Sequence, residues 1–139
     1  MSLIEVKTAD LVGAALDWST FCAVYPGMQP TIRVAESEER LMFKGAAKPA
    51  ILPRTVSLTY SGAYGLELYW YPSSDWECGG PLLDRFEVEI IRACGVVHAK
   101  RCGMTNAAGY GETALIAACR AIVASVLGET VSVPKELLS

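Results

Sequence analysis

The stretch Tyr69–Pro81 concentrates the residue types from which a small-molecule site is built. It holds four aromatic rings (Tyr69, Trp70, Tyr71, Trp76), the hydroxyls of Ser73 and Ser74, the acid Asp75, and the pair Gly79 and Gly80 between Pro72 and Pro81. Prolines restrict the backbone, glycines let amides point at an anion, and Trp76 offers a flat apolar face to a ring. The same residues also suit a plainer role, a hydrogen-bonded turn over Ser73, Ser74 and Asp75 with Trp76 capping the core. As a ligand site the segment would stack a ring on Trp76, with Trp18 as the opposite wall. Asp75 and Ser74, with Ser73 beside them, would address sugar hydroxyls, and the Gly79 and Gly80 amides with Arg85 or Arg120 would face phosphate.

Other constellations carry less. Cys94, His98 and Cys102 are spaced by four, as zinc ligands on a helix would be, but Val96 and Val97 favour a strand. Four residues of strand span about 13 Å, far beyond metal bonds of about 2 Å, so no metal is assigned. His98 is the lone histidine and the only imidazole base for Cys78 or a loop serine. Asp75 with Glu77 or Asp84 could divide acid and base roles in a hydrolase. No residue is assigned as catalytic and no cofactor is expected. Gly109-Tyr-Gly-Glu-Thr113 opens a helix and could offer amides to an anion, yet Glu112 opposes a phosphate there and a plain cap is the simpler role. Glu36-Ser-Glu-Glu-Arg40 reads as a solvated face.

These residues must be positioned by a small set of elements. Thr8 can cap a helix over 9–22 whose apolar residues Leu11, Ala15, Trp18 and Cys22 share a face, placing Asp17 and Trp18 near its end. Pro26 and Pro30 with Gly27 stop it. Thr31–Ala35 reads as a short strand, and residues 36–54 as a long exposed excursion. Thr55–Tyr60 and Leu66–Tyr71 form one antiparallel hairpin, Phe86–Arg92 and Gly95–Arg101 a second. Thr113–Leu127 is apolar almost all round with Arg120 its only charge, so it is buried on more than one side, and Arg120 needs a partner, with Asp75 or Asp84 in view. Gly128 ends the helix, and Pro134 keeps the tail out of a sheet interior. The order implies an α+β fold of one domain, 1–139, with an antiparallel sheet of two hairpins packed on an N-terminal helix and a buried C-terminal helix.

Composition limits the function classes. Fifteen acids against twelve bases give a net charge of -3, without the basic footprint of a nucleic-acid binder. At 52% hydrophobic and 19% charged, the 139 residues suit a folded core rather than disorder, and an oligomer with an apolar interface. No apolar run reaches membrane-span length, and Glu5, Lys7 and Asp10 do not fit a signal peptide, which points to the cytoplasm. The odd set of five cysteines fits reduced thiols.

Tyr71-Pro-Ser-Ser-Asp-Trp-Glu-Cys-Gly-Gly-Pro-Leu-Leu-Asp84 resembles the signature of the NinX-like family of phage and prophage proteins, in which Pro-Ser-Thr-Asp-Trp precedes Gly-Gly-Pro and an acid. Ser74 stands where that pattern has threonine. Val6-Lys-Thr8, Leu11, Gly13 and Ala15-Leu-Asp-Trp18 resemble the family's opening helix. Thr113, Leu115, Ala117-Ala-Cys-Arg120, Leu127-Gly128, Val133-Pro134 and Glu136-Leu137 resemble its closing helix and tail. Residues 29–65 and 86–108 match no such pattern. The resemblance implies a phage context and no established activity. The resulting expectation is a non-enzymatic accessory protein that binds a small nucleotide-like ligand and so counters a host defence signal. A module that binds a host or phage protein, and a small carboxylate hydrolase, are the alternatives.

Overall fold

The computed structural model describes residues 2–41, 44–45, 47–104 and 107–138. At the centre lies α3 (Ala114–Leu127), which packs against α1 (Gly13–Val24) on one side and against a three-stranded sheet on the other. That sheet consists of β7 (Val88–Ala93), β8 (Val96–Arg101) and β9 (Ala108–Gly111), antiparallel in that order. The double contact explains why the helix is apolar nearly all round. Its α1-facing side joins a core of Leu16, Phe21, Leu58, Trp70, Ile122, Val123 and Val133, while Ala114, Ala117 and Ala121 meet Val97 and Ala99 of β8.

Small residues set the spacing of the second interface. A Cβ on Gly109 would fall 2.1 Å from the Ala117 carbonyl oxygen and 2.5 Å from the Ala121 nitrogen. Gly109-Tyr-Gly is therefore a strand pressed against helix backbone, not an anion loop, and β9 is an element that the glycines concealed in the sequence. Thr113 does cap α3, its Oγ1 accepting from the Ile116 N–H at 3.2 Å.

The remaining sheets are small and also antiparallel: β1 (Leu3–Lys7) with β10 (Thr130–Pro134); β2 (Thr31–Ala35), β5 (Thr55–Ser61) and β6 (Glu67–Tyr69) with β5 central; and β3 (Glu38–Arg40) with β4 (Ala50–Leu52). The fold is α+β, as expected, and both anticipated hairpins are present. Their strands belong to separate sheets rather than one, and the excursion over 36–54 contains the β3–β4 hairpin.

Two helix expectations need correction. Thr8 does not cap the first helix: it lies in a 3-10 turn, and its Oγ1 donates to the Gly128 carbonyl at 2.7 Å. The helix starts at Gly13 and runs to Val24, which puts Asp17 and Trp18 in its middle. The central segment reads as a loop in the sequence, yet Trp76–Arg85 is a helix, α2, despite Gly79, Gly80 and Pro81. Asp75 caps it by accepting from the Glu77 N–H at 3.1 Å, and Glu77 in the first turn and Arg85 in the last complement its dipole. Gly79 is required there, since a Cβ would lie 2.2 Å from the Pro72 carbonyl oxygen.

Candidate functional site

The segment before α2 is held from beneath by α1. The Trp70 indole N–H donates to the Asp17 carbonyl at 2.8 Å, and the Ser73 N–H donates to Asp17 Oδ1 at 2.9 Å. Ser74 and Asp75 then turn on the Tyr71 carbonyl, at 3.2 and 2.8 Å. Asp17 is only 4% exposed. Burial pushes its carboxyl up to about 6 from 3.8, against the lowering effect of its hydrogen bonds to Ser73. Burial similarly pushes the nearby Cys119 thiol up to about 12, which makes it an inert core residue.

Two clefts open on either side of the first turn of α2. The first, about 500 Å³, is lined by Ser73, Ser74 and Trp76 from the central segment, Arg92 from β7, and Glu112, Thr113 and Ile116 at the start of α3. Arg92 occupies the alternate positions of β7 shared with Val88 and Ile90, which pack on the α3 side. It makes no ion pair or hydrogen bond among the described residues. Trp76 is 57% exposed, whereas Trp18 and Trp70 are 6% and 3%. The second cleft, about 520 Å³, is lined by Tyr25, Tyr60, Tyr69 and Trp70, by the cap residue Asp75, and by Glu77, Cys78 and Arg85 along α2.

The structure thus divides the nine residues singled out in the sequence. Ser73, Ser74 and Trp76 share the first cleft, and Asp75 and Arg85 the second. Trp18 is a core residue and forms no wall of either cleft. Gly79 and Gly80 lie inside α2, and the Gly79 N–H is bonded to the Asp75 carbonyl at 2.8 Å, so it is not free for an anion. Arg120 pairs with neither Asp75 nor Asp84. Its Nε and Nη2 donate to the Leu11 carbonyl at 3.0 and 2.9 Å, and Nη1 donates to the Tyr110 carbonyl at 2.6 Å. It clamps α3 to the segment entering α1 and to β9, and satisfies its donors with backbone.

Arg92, Tyr25 and Tyr60 were not singled out, while Tyr69 entered only as one of the rings of the central stretch and Glu112 only as a charge opposing an anion. The alternation Val88, Ile90, Arg92 was the available signal for Arg92, placing it on the helix-facing side at the strand's end. His98 stacks on Tyr110 at 4.7 Å on the outer face of β8, and Cys94 and Cys102 lie exposed beyond the two ends of that strand.

A family model described as "Bacteriophage P22, NinX" matches residues 7–126. The chain belongs to the NinX family. The matched span includes every residue lining the two clefts, so in this NinX-family chain both are features of the family region rather than of an appended tail. No curated relative matches the chain. Among the described residues no helix is long and apolar enough to cross a membrane, and no three His, Cys, Asp or Glu side chains cluster as metal ligands.

Proposed function

We propose that this NinX-family protein is a phage or prophage accessory protein that binds a small nucleotide-like ligand without turning it over, and so removes a host defence signal. The observation that carries the reading is the company of Trp76. A largely exposed indole stands in one cleft with two serine residues and an arginine that no acid pairs with among the described residues. A base would stack on Trp76, phosphate would meet Arg92, and sugar hydroxyls would meet Ser74 and Glu112. Arg92 takes the role first considered for Arg85, Arg120 and the glycine amides.

Calorimetric titration with cyclic dinucleotides and ADP-ribose tests the proposal. Saturable binding, weakened in Trp76→Ala and in Arg92→Ala, is the expected result, with the ligand recovered intact. Absence of heat at high micromolar ligand removes the reading, and a converted ligand removes its non-enzymatic part. One observation favours a protein partner or second copy instead: the β3–β4 hairpin leaves Leu41 and Ile51 exposed. Cross-linked pull-down of a stoichiometric protein without a small molecule would shift the account to that reading.

A further inference from the structure

The polar groups of the Trp76 cleft differ in what they can exchange with a ligand. Arg92 only donates, the Glu112 carboxylate only accepts, and the Ser74 hydroxyl does either. Neither Arg92 nor Glu112 forms an ion pair or hydrogen bond among the described residues, so they do not neutralise each other across the cleft. The sheet holds them apart. Arg92 of β7 lies opposite Val97 of β8, and Val97 lies opposite Gly111 of β9, the residue before Glu112. Two strand spacings put about 10 Å between the backbones at Arg92 and Gly111. The cleft is therefore polar in charge, cationic on its β7 side and anionic where β9 runs into α3.

Glu112 also lines a neighbouring cleft of about 430 Å³ together with Arg120. That guanidinium is committed to the Leu11 and Tyr110 carbonyls and forms no ion pair with Glu112. The carboxylate is exposed and keeps its whole acceptor capacity for a ligand.

We propose, on the reading of the Trp76 cleft as a nucleotide site, that it selects a ribonucleotide with phosphate on the 5′ side and a free 2′,3′-diol, and that Glu112 sets this specificity. The vicinal hydroxyls of a ribose are adjacent donors, and a carboxylate accepts from both, one on each oxygen. With the base on Trp76 and the 5′-phosphate at Arg92, the diol is the edge of the sugar left to face Glu112. A 2′-deoxy sugar gives up one of those bonds. A phosphate on the 2′ or 3′ oxygen does worse, because it removes a donor and brings like charge against the carboxylate. The ligand class narrows accordingly: 5′-nucleotides and ADP-ribose fit, whereas dinucleotides joined through a 2′ or 3′ oxygen place a phosphate at Glu112.

The test is calorimetric titration of the full chain with ADP, 2′-deoxy-ADP and adenosine 3′,5′-bisphosphate, which carry the same base and the same number of phosphates. ADP is expected to bind about tenfold more tightly than 2′-deoxy-ADP, the worth of one hydrogen bond to a charged acceptor, and the bisphosphate more weakly than either. In Glu112→Gln the gap between ADP and 2′-deoxy-ADP falls below about threefold, and the bisphosphate gains on both. The wild-type ratios stand as a test without any variant. Equal affinity for ADP and 2′-deoxy-ADP, tightest binding of the bisphosphate, or ratios unchanged in Glu112→Gln would overturn the proposal. If binding then still weakens in Trp76→Ala and Arg92→Ala, the nucleotide reading survives and only the diol specificity falls, whereas no binding of any of the three removes both.

Discussion

Replacing Asp17 with asparagine should make the protein more stable at neutral pH. The carboxyl is 4% exposed, and burial raises its pKa from 3.8 to about 6. Since the folded value lies above the unfolded one, the folded state holds the extra proton between those two pH values. The contribution is therefore most favourable below 3.8 and declines as pH rises through about 6. By pH 7 the gap corresponds to about 3 kcal/mol, at about 1.4 kcal/mol for each pKa unit. The asparagine side chain would keep an Oδ1 to accept the Ser73 N–H and would leave the Trp70 bond to the backbone carbonyl untouched, while removing the buried charge. Its new amide N–H groups need acceptors, so the expected net gain is about 1–3 kcal/mol at pH 7, shrinking toward zero or below near pH 4. Urea unfolding of both proteins from pH 4 to pH 8 measures this, and subtracting the two curves cancels the other titrating groups. A difference that does not change with pH, or an asparagine variant less stable at pH 7, would show that the buried carboxylate is stabilised by interactions stronger than those to Ser73.

Arg120→Ala should cost about 2–4 kcal/mol in denaturant unfolding, because the Leu11 and Tyr110 carbonyls lose their donors. Gly109→Ala should cost about 3 kcal/mol or more, since the added methyl meets helix backbone that cannot move aside, and thermal unfolding would register it. Ala118→Leu, at a fully buried position of α3, should cost about 1–3 kcal/mol, and an unchanged unfolding midpoint would contradict the packing described. Trp76→Ala should change stability by less than about 0.5 kcal/mol, because most of the ring is already in solvent.

What the sequence disclosed, and what it hid, follows from the range of the interactions. Strands β5 to β8 were legible because alternation and turn residues are local signals, and α3 because its apolar surface runs all the way round. The helix α2 was hidden by Gly79-Gly80-Pro81, residues that break helices on propensity alone. Here the Asp75 cap offsets that propensity, and the approach of the Pro72 carbonyl demands a residue without a Cβ. Strands β1 and β10 join opposite ends of the chain, a pairing of the kind local patterns do not encode. Trp76 and the serines were picked out by residue type, and they line one cleft with Arg92. Arg92 was missed because its place in that cleft depends on β7 ending beside the start of α3. Trp18 and the glycine amides were misplaced for the same reason: composition identifies groups able to bind a ligand, but burial and helix hydrogen bonds decide which remain free to do so.

A nucleotide-like ligand held in the Trp76 cleft would survive native mass spectrometry of protein purified from host cells. The wild-type spectrum should carry a nucleotide-sized mass increment that the Trp76→Ala spectrum lacks. The same increment retained by Trp76→Ala, or bare protein mass in both, would contradict a ligand held there.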